Sequence, residues 1–201
     1  MTEDDAHGWI RERFDPVACE RIDRFVAMVA EETAKQNLIA PSTLVSIRTR
    51  HVVDSLQLID LAAKDGAWLD IGTGGGFPGL VVAIVRDTAM HLVEPRRKRA
   101  EFLSRAAAML ELSHVTVHVA KVEGVALRAK TISARAVASI PALVEAARHV
   151  ASRDTIWLLP RGRSAPEEAS DLHQHARVFH VEQSITDPDS KIVVLRGVTG
   201  R

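Results

Sequence analysis

Residues 69–79 read LDIGTGGGFPG, an apolar run ending in Asp70 followed by five glycines among eleven residues, with Pro78 leading into a helix-like stretch. Glycine weakens strands and helices because it loses the most backbone freedom on folding. Five of them at one junction exceed the needs of a packing turn and point to a loop that must approach a ligand closely. A strand that passes through such a turn into a helix offers backbone N–H groups and a helix N-terminus to that ligand. Pro78 suits the start of the helix, where a missing N–H costs nothing.

The chain on either side supplies the matching rhythm. Apolar-rich strand candidates fall at residues 67–71, 89–94, 114–119, 131–134 and 154–159. Helical patterns lie between most of them, at 79–85, 96–111 and 140–151, with another at 165–175. Strands alternating with helices predict parallel βαβ units with right-handed crossovers. Residues 177–183 and 191–197 are two more strand-like runs joined by the turn-rich TDPDS of 186–190, which predicts an antiparallel pair added to the sheet. Upstream, apolar residues recur at helical spacing from Pro16 to Gln36, with Asp15 placed as a cap. The NLIAP of 37–41 breaks that helix. A second helix is expected after Ser42, carrying Leu44, Ile47, His51, Asp54, Leu58 and Leu61 up to the KDG of 64–66. Residues 1–8 are expected to fray. The expected fold is one doubly wound α/β domain: a Rossmann-like core over 66–201 and a helical extension, 1–65, packed on it.

Composition narrows the function classes. A chain of 201 residues can fill one sizeable core. The 26 basic and 26 acidic side chains cancel, so any attraction to nucleic acid must come from local patches. No apolar run reaches the length of a membrane span, and the opening MTEDDAHGW lacks the blocks of a secretory signal. Cys19 stands alone and the nine histidines show no metal-ligand spacing, so neither a disulfide framework nor a metal is expected. A cytoplasmic monomer is the expectation.

Two ligands compete for the turn. Gly74, Gly76 and Gly79 fit the dinucleotide pattern GxGxxG, whereas Asp70, Gly72, Gly74 and Gly76 fit the DxGxGxG pattern of S-adenosylmethionine enzymes. Asp70 arbitrates. A carboxylate at the strand tip repels a pyrophosphate but can help to hold a cationic ammonium group. Glu94 ends the next strand about twenty residues on, where an acid bonds ribose hydroxyls of either ligand. The run Arg96-Arg97-Lys98-Arg99 opens a helix with cations that oppose its dipole, and an anion would relieve that conflict. RNA phosphate would do so, and so would the extra phosphate of NADP, which leaves an NADP-dependent oxidoreductase as the second reading.

With these residues in place the chain resembles the bacterial 16S rRNA guanine N7-methyltransferase family, RsmG or GidB. The resemblance rests on Asn37-Leu38-Ile39-Ala40, Arg50-His51-Val52-Val53-Asp54-Ser55, the GTGGGFPG turn, Val93-Glu94 with the following basic helix, Lys121-Val122-Glu123, and Ser133-Ala134-Arg135-Ala136. It implies the class I S-adenosylmethionine-dependent methyltransferase fold and a methyl transfer to guanine N7 that leaves S-adenosylhomocysteine. It further implies 16S rRNA, a small ribosomal subunit or an assembly intermediate as partner. Carried over residue by residue, it places Gly72, Phe77, Val122, Glu123 and Arg135 at the cofactor, beside Asp70, Gly74, Gly76 and Glu94. Arg135 is also the expected catalytic positioning residue, since N7 holds a free lone pair and needs no general base. Asn37, Arg50, His51, Arg96, Arg97, Lys98, Lys121 and Arg161 are the expected RNA contacts. Lys121 and Arg161 stand where arginine and lysine, respectively, are commoner in the family, which changes the geometry of the cation but not its charge.

Overall fold

The computed structural model describes residues 1–135, 138–162 and 178–198. The expected helix at 165–175 lies outside them. Two helices open the chain, α1 (Glu3–Arg13) and α2 (Pro16–Gln36). The first replaces the fraying expected of residues 1–8. Thr2 and Asp5 form a reciprocal capping box, and the Glu3 carboxylate accepts bonds from the Arg48 and Thr49 backbone N–H groups at 2.9 and 3.0 Å. Asp15 caps α2 through a 2.8 Å bond from the Ala18 N–H, and Asn37 ends it in the left-handed region at φ 48°.

Residues 41–61 are helical but not one regular helix. A 3-10 turn (Pro41–Ser46) is followed by a π turn (Arg48–Val53), the short α3 (Asp54–Leu56) and another 3-10 turn (Gln57–Leu61). The α/β unit then runs β1 (Trp68–Ile71), α4 (Gly79–Val85), β2 (Met90–Val93), α5 (Arg97–Met109), β3 (Val115–His118), β4 (Thr131–Ala134), α6 (Ile140–Ala147) and β5 (Ile156–Arg161). The chain ends on β6 (Val178–Gln183) and β7 (Lys191–Arg196).

The sheet order is β3-β2-β1-β4-β5-β7-β6, parallel except where β7 pairs antiparallel with β5 and β6. Alternation along the strands feeds two apolar layers. Trp68, Met90, Leu92, Leu158 and Val194 face α2, α4, α5 and the 41–61 segment, whereas Leu69, Ile71, Val93, Trp157 and Val193 face α6. Phe25 of α2 lies between Phe77 and Phe102, with ring centroids 5.4 and 6.5 Å away, so the N-terminal helices share the first of these layers. Strand order reverses between β1 and β4, the place where open α/β sheets bind ligands beyond the carboxyl ends of their strands. Among the described residues no helix is long and apolar enough to cross a membrane, and no group of three His, Cys, Asp or Glu side chains could hold a metal ion.

Candidate active site

The glycine turn leaves β1 with Gly72, Gly74 and Gly76 at φ 68°, 58° and 96°, backbone that residues with a Cβ rarely adopt. Two acids clasp it. Asp70 accepts the Gly79 N–H on Oδ2 at 2.9 Å and the Ser133 hydroxyl on Oδ1 at 2.6 Å. Ser133 in turn accepts the Trp68 indole N–H at 2.8 Å. Glu94 accepts the Gly74 N–H on Oε2 at 3.1 Å and the Arg96 N–H on Oε1 at 2.9 Å.

Asp70 was expected to meet a ligand's ammonium group at the strand tip. Alternation along β1 instead turns it to the same face as Trp68, beneath the turn, where it is 0% exposed and both oxygens are engaged. It braces the loop. Burial pushes its carboxyl up to about 6, against the pull of its hydrogen bonds. Glu94, also buried, sits at the N-terminus of α5 and supplies the negative charge there. The dipole conflict inferred from the basic run is therefore met from within the protein.

Two tilted rings and a guanidinium meet at the mouth of the crevice. Phe77 is buried with the His51 ring 5.0 Å from its centroid and the Arg135 guanidinium carbon 5.5 Å away. Arg135, half-buried at the end of β4, also donates to the Arg50 carbonyl at 3.3 Å. A guanidinium held on a ring face and a carbonyl is preorganised as well as charged. Burial lowers its affinity for the proton, and the charges of Asp54 and Asp70 partly offset this.

His51, expected among the RNA contacts, is held by Thr43 Oγ1 at 2.9 Å from Nε2. Burial, with Arg135 and Arg50 adding repulsion, holds it down at about 3. The imidazole is therefore neutral near pH 7 and cannot neutralise a phosphate. Because its folded value lies below the unfolded 6.5, its stabilising effect is full above pH 6.5 and is lost as pH falls toward 3. Asp70 acts oppositely: its folded value lies above the unfolded 3.8, so its contribution is full below 3.8 and is lost as pH rises through about 6. His51→Gln should therefore remove about 2 kcal/mol of the stability loss between pH 6.5 and 4.5, measured by denaturant titration of both proteins. Parallel pH profiles would reject the buried neutral imidazole.

Beyond Arg135 lies a cavity of about 730 Å³, walled by the 41–61 segment, the ends of β4 and β5 and the turn between β6 and β7. Arg50 pairs with Asp187 across it at 3.5 Å. Arg161 lines it but is buried, with its guanidinium donating to the carbonyls of Ala134, Pro160 and Ala138. Expected as an RNA contact, it braces the backbone on either side of the β4 exit instead. Carbonyls at the end of a parallel strand need donors, and a planar fork serves several at once.

The sequence did not single out the polar knot on the far wall. Asp54 Oδ1 accepts from Gln57 Nε2 at 2.8 Å, Thr186 Oγ1 at 2.6 Å and Ser184 Oγ at 3.2 Å. Asp54 belongs to the Arg50–Ser55 motif, but its partners at 184 and 186 are too distant in sequence to leave a local signal.

The other expected residues lie around the glycine turn. Val122 is buried in a 3-10 turn (Val122–Gly124) after β3, with Lys121 and Glu123 exposed beside it. Arg96, Arg97 and Lys98 are exposed at the start of α5, and Arg97 pairs with Glu101 at 3.0 Å. Asn37 is exposed, and its carbonyl accepts from Arg99 at 3.1 Å. The expected RNA contacts thus form two groups, one at the cavity and one along the α5 and β3 tips.

Known proteins share both the fold and the sequence. A solved S-adenosylmethionine-dependent methyltransferase from Aquifex aeolicus superposes with a TM-score of 0.63 at 16% identity, covering 84% of this chain and 98% of that one. Another, described as a putative methyltransferase of the same kind from Methanococcus maripaludis, gives 0.59 at 10% identity over 88% and 93%. At those identities only the fold is shared. Sequence relatives are much nearer. The ribosomal RNA small subunit methyltransferase G of Sphingopyxis alaskensis is 47% identical, covering 96% of this chain and 85% of its own length. That of Novosphingobium aromaticivorans is 42% identical over 100% and 91%. The family model GidB, described as rRNA small subunit methyltransferase G, matches residues 18–191. With the turn, its two clasping acids and the arginine at the β4 tip all inside that match, the chain belongs to the rRNA small subunit methyltransferase G family.

Proposed function

We propose that the protein transfers a methyl group from S-adenosylmethionine to N7 of a guanine in 16S rRNA, within the small ribosomal subunit or a particle on the way to it. The observation that carries this reading is Arg135, fixed on the Phe77 ring between the glycine turn and a cavity of nucleotide size.

The residues present fit the methyl donor. A Cβ built on Gly74 would meet only Arg99 Nη1 at 3.7 Å and the Gly72 carbonyl at 3.8 Å, so the turn leaves open space on its outer side. Gly72 and Gly74 would face the donor, Glu94 its ribose, and Val122 with Glu123 its adenine. When bound, S-adenosylmethionine supplies a methyl on a sulfonium, which leaves as its S–C electron pair returns to sulfur. Guanine N7 attacks with a lone pair that is free at neutral pH, so the protein needs no base. Its own residues orient and exclude water. Phe77 and His51 form an apolar neutral wall, while Arg135 can meet O6 or a flanking phosphate without occupying N7. A target base in structured RNA must leave its stack to enter.

The NADP reading loses support at Glu94. A buried carboxylate beside the Gly74 N–H disfavours the extra phosphate that distinguishes that cofactor.

Incubating small-subunit rRNA or particles from cells lacking the protein with enzyme and labelled donor should label one guanine. Mapping should place the methyl at N7. Label on another base or atom, or none on any small-subunit substrate, overturns the reading.

A further inference from the structure

Among the described residues Arg50, Arg135 and Lys191 bring positive charge to the cavity beside the backbone-bracing Arg161, which suits phosphate and carbonyl oxygens. Its two carboxylates differ. Asp187 accepts from the Asp189 N–H on Oδ1 and from Ser190 Oγ on Oδ2, and the latter oxygen also pairs with Arg50. Asp54 directs all its side-chain bonds through Oδ1, to Gln57, Ser184 and Thr186, while Oδ2 takes none among the described residues. Those three partners are themselves buried, and the network closes with the Ile185 N–H donating to Gln57 Oε1 at 3.0 Å. Three donors on one oxygen fix the plane of the carboxylate and leave the other oxygen, on the wall of the cavity, with no hydrogen-bond donor among the described residues, only the charge of Arg135 acting on the group.

An acceptor of that kind suits one nucleobase edge. Guanine alone among the four common bases presents two adjacent donors, N1–H and the 2-amino group, on its Watson–Crick edge. Enzymes that take a base out of its stack read that edge by hydrogen bonding. We propose that Asp54 recognises the target guanine by accepting from N1–H and the 2-amino group through Oδ2, which leaves N7, on the other edge of the purine, free for the methyl. Gln57, Ser184 and Thr186 are positioning residues for that carboxylate. The inference rests on the function proposed above and names the residue that selects guanine. Rejection of the other bases follows because each would leave the carboxylate facing a lone pair or an unpaired group.

The test compares the reconstituted small-subunit substrate carrying guanosine at the mapped position with one carrying inosine, which lacks only the 2-amino group. For the wild-type protein, inosine should lower kcat/KM by about tenfold to a hundredfold, the range for losing a hydrogen bond to a charged acceptor. In Asp54→Asn the guanosine rate falls and the inosine penalty shrinks to less than about threefold, because the partner of the 2-amino group has changed. A residue that merely held the fold together would lower both rates and leave their ratio intact, so equal penalties in the two proteins overturn the assignment. Thr186→Val removes the 2.6 Å anchor and spares Oδ2, so it should retain an intermediate penalty. A full penalty there overturns the positioning role. If the wild type leaves guanosine N7 unmethylated, the underlying function fails; if it methylates N7 and the penalties match, only the role of Asp54 fails.

Discussion

Arg135→Ala should lower kcat/KM for rRNA methylation by about a hundredfold or more, the scale on which a preorganised charge at a reacting centre acts. The fold should survive. The side chain contributes one 3.3 Å bond to the Arg50 carbonyl and one ring-face contact with Phe77, together about 1 kcal/mol. Arg135→Lys keeps the charge but loses the planar fork, and should recover only part of the activity. A spectroscopic readout separates this role from a structural one. Arg135 is one of the charges that lower the His51 titration, so Arg135→Ala should move that titration upward from about 3, with burial still the main cause. Near-normal methylation by the alanine variant would remove Arg135 from the site.

The largest effect on stability should come from Gly79→Ala, one methyl group at the start of α4. Its Cβ would lie 2.4 Å from Leu92 Cδ2 and 2.8 Å from both Cβ and Oδ2 of Asp70. Asp70 cannot retreat, since it is fully buried and its oxygens hold the Gly79 N–H and the Ser133 hydroxyl. Overpacking at such a point costs about 3 kcal/mol, or a fall in midpoint of about 10 °C for a chain of this size. Gly8 is the control. Its Cβ would meet nothing within 4 Å on helix α1, so Gly8→Ala should stabilise by about 0.5–1 kcal/mol. Denaturant titrations of both variants with an unchanged slope test the pair, and equal midpoints would show that the contact at Gly79 is slack.

Much of the architecture was legible because the relevant forces are local. Pro16, Asp15 and the apolar spacing set α2 from its first residue to its last, and the glycine turn marked the passage from β1 to α4. Residues 1–8 were misread because their order comes from Thr2 and Asp5 capping each other and from Glu3 bonding to Arg48 and Thr49, more than forty residues away. The π turn at Arg48–Val53 was equally hidden, since a helical apolar pattern does not report an extra residue in one turn. At the site, the identity of Asp70 could be read but not its direction, and the bonds that Glu94 accepts from the Gly74 and Arg96 amides left no sign in the sequence. Both acids turn toward amides of the loop, and that depends on which face of its strand a residue occupies. Arg161 illustrates the same limit. A basic residue at a strand end reads as an RNA contact until the carbonyls of Ala134 and Ala138 are seen around it.

The sheet order has a consequence for the nascent protein. β7, synthesised after every other strand, is wedged between β5 and β6, and among the described residues β6 pairs with no other strand. β6 is made before β7, its one partner among the described strands, so the hairpin that carries the Ser184 and Thr186 hydroxyls to Asp54 can pair only once β7 exists. Formation of β7 is therefore the event that completes the far wall of the cavity, and a chain halted before it would hold the glycine turn without the hydroxyls around Asp54.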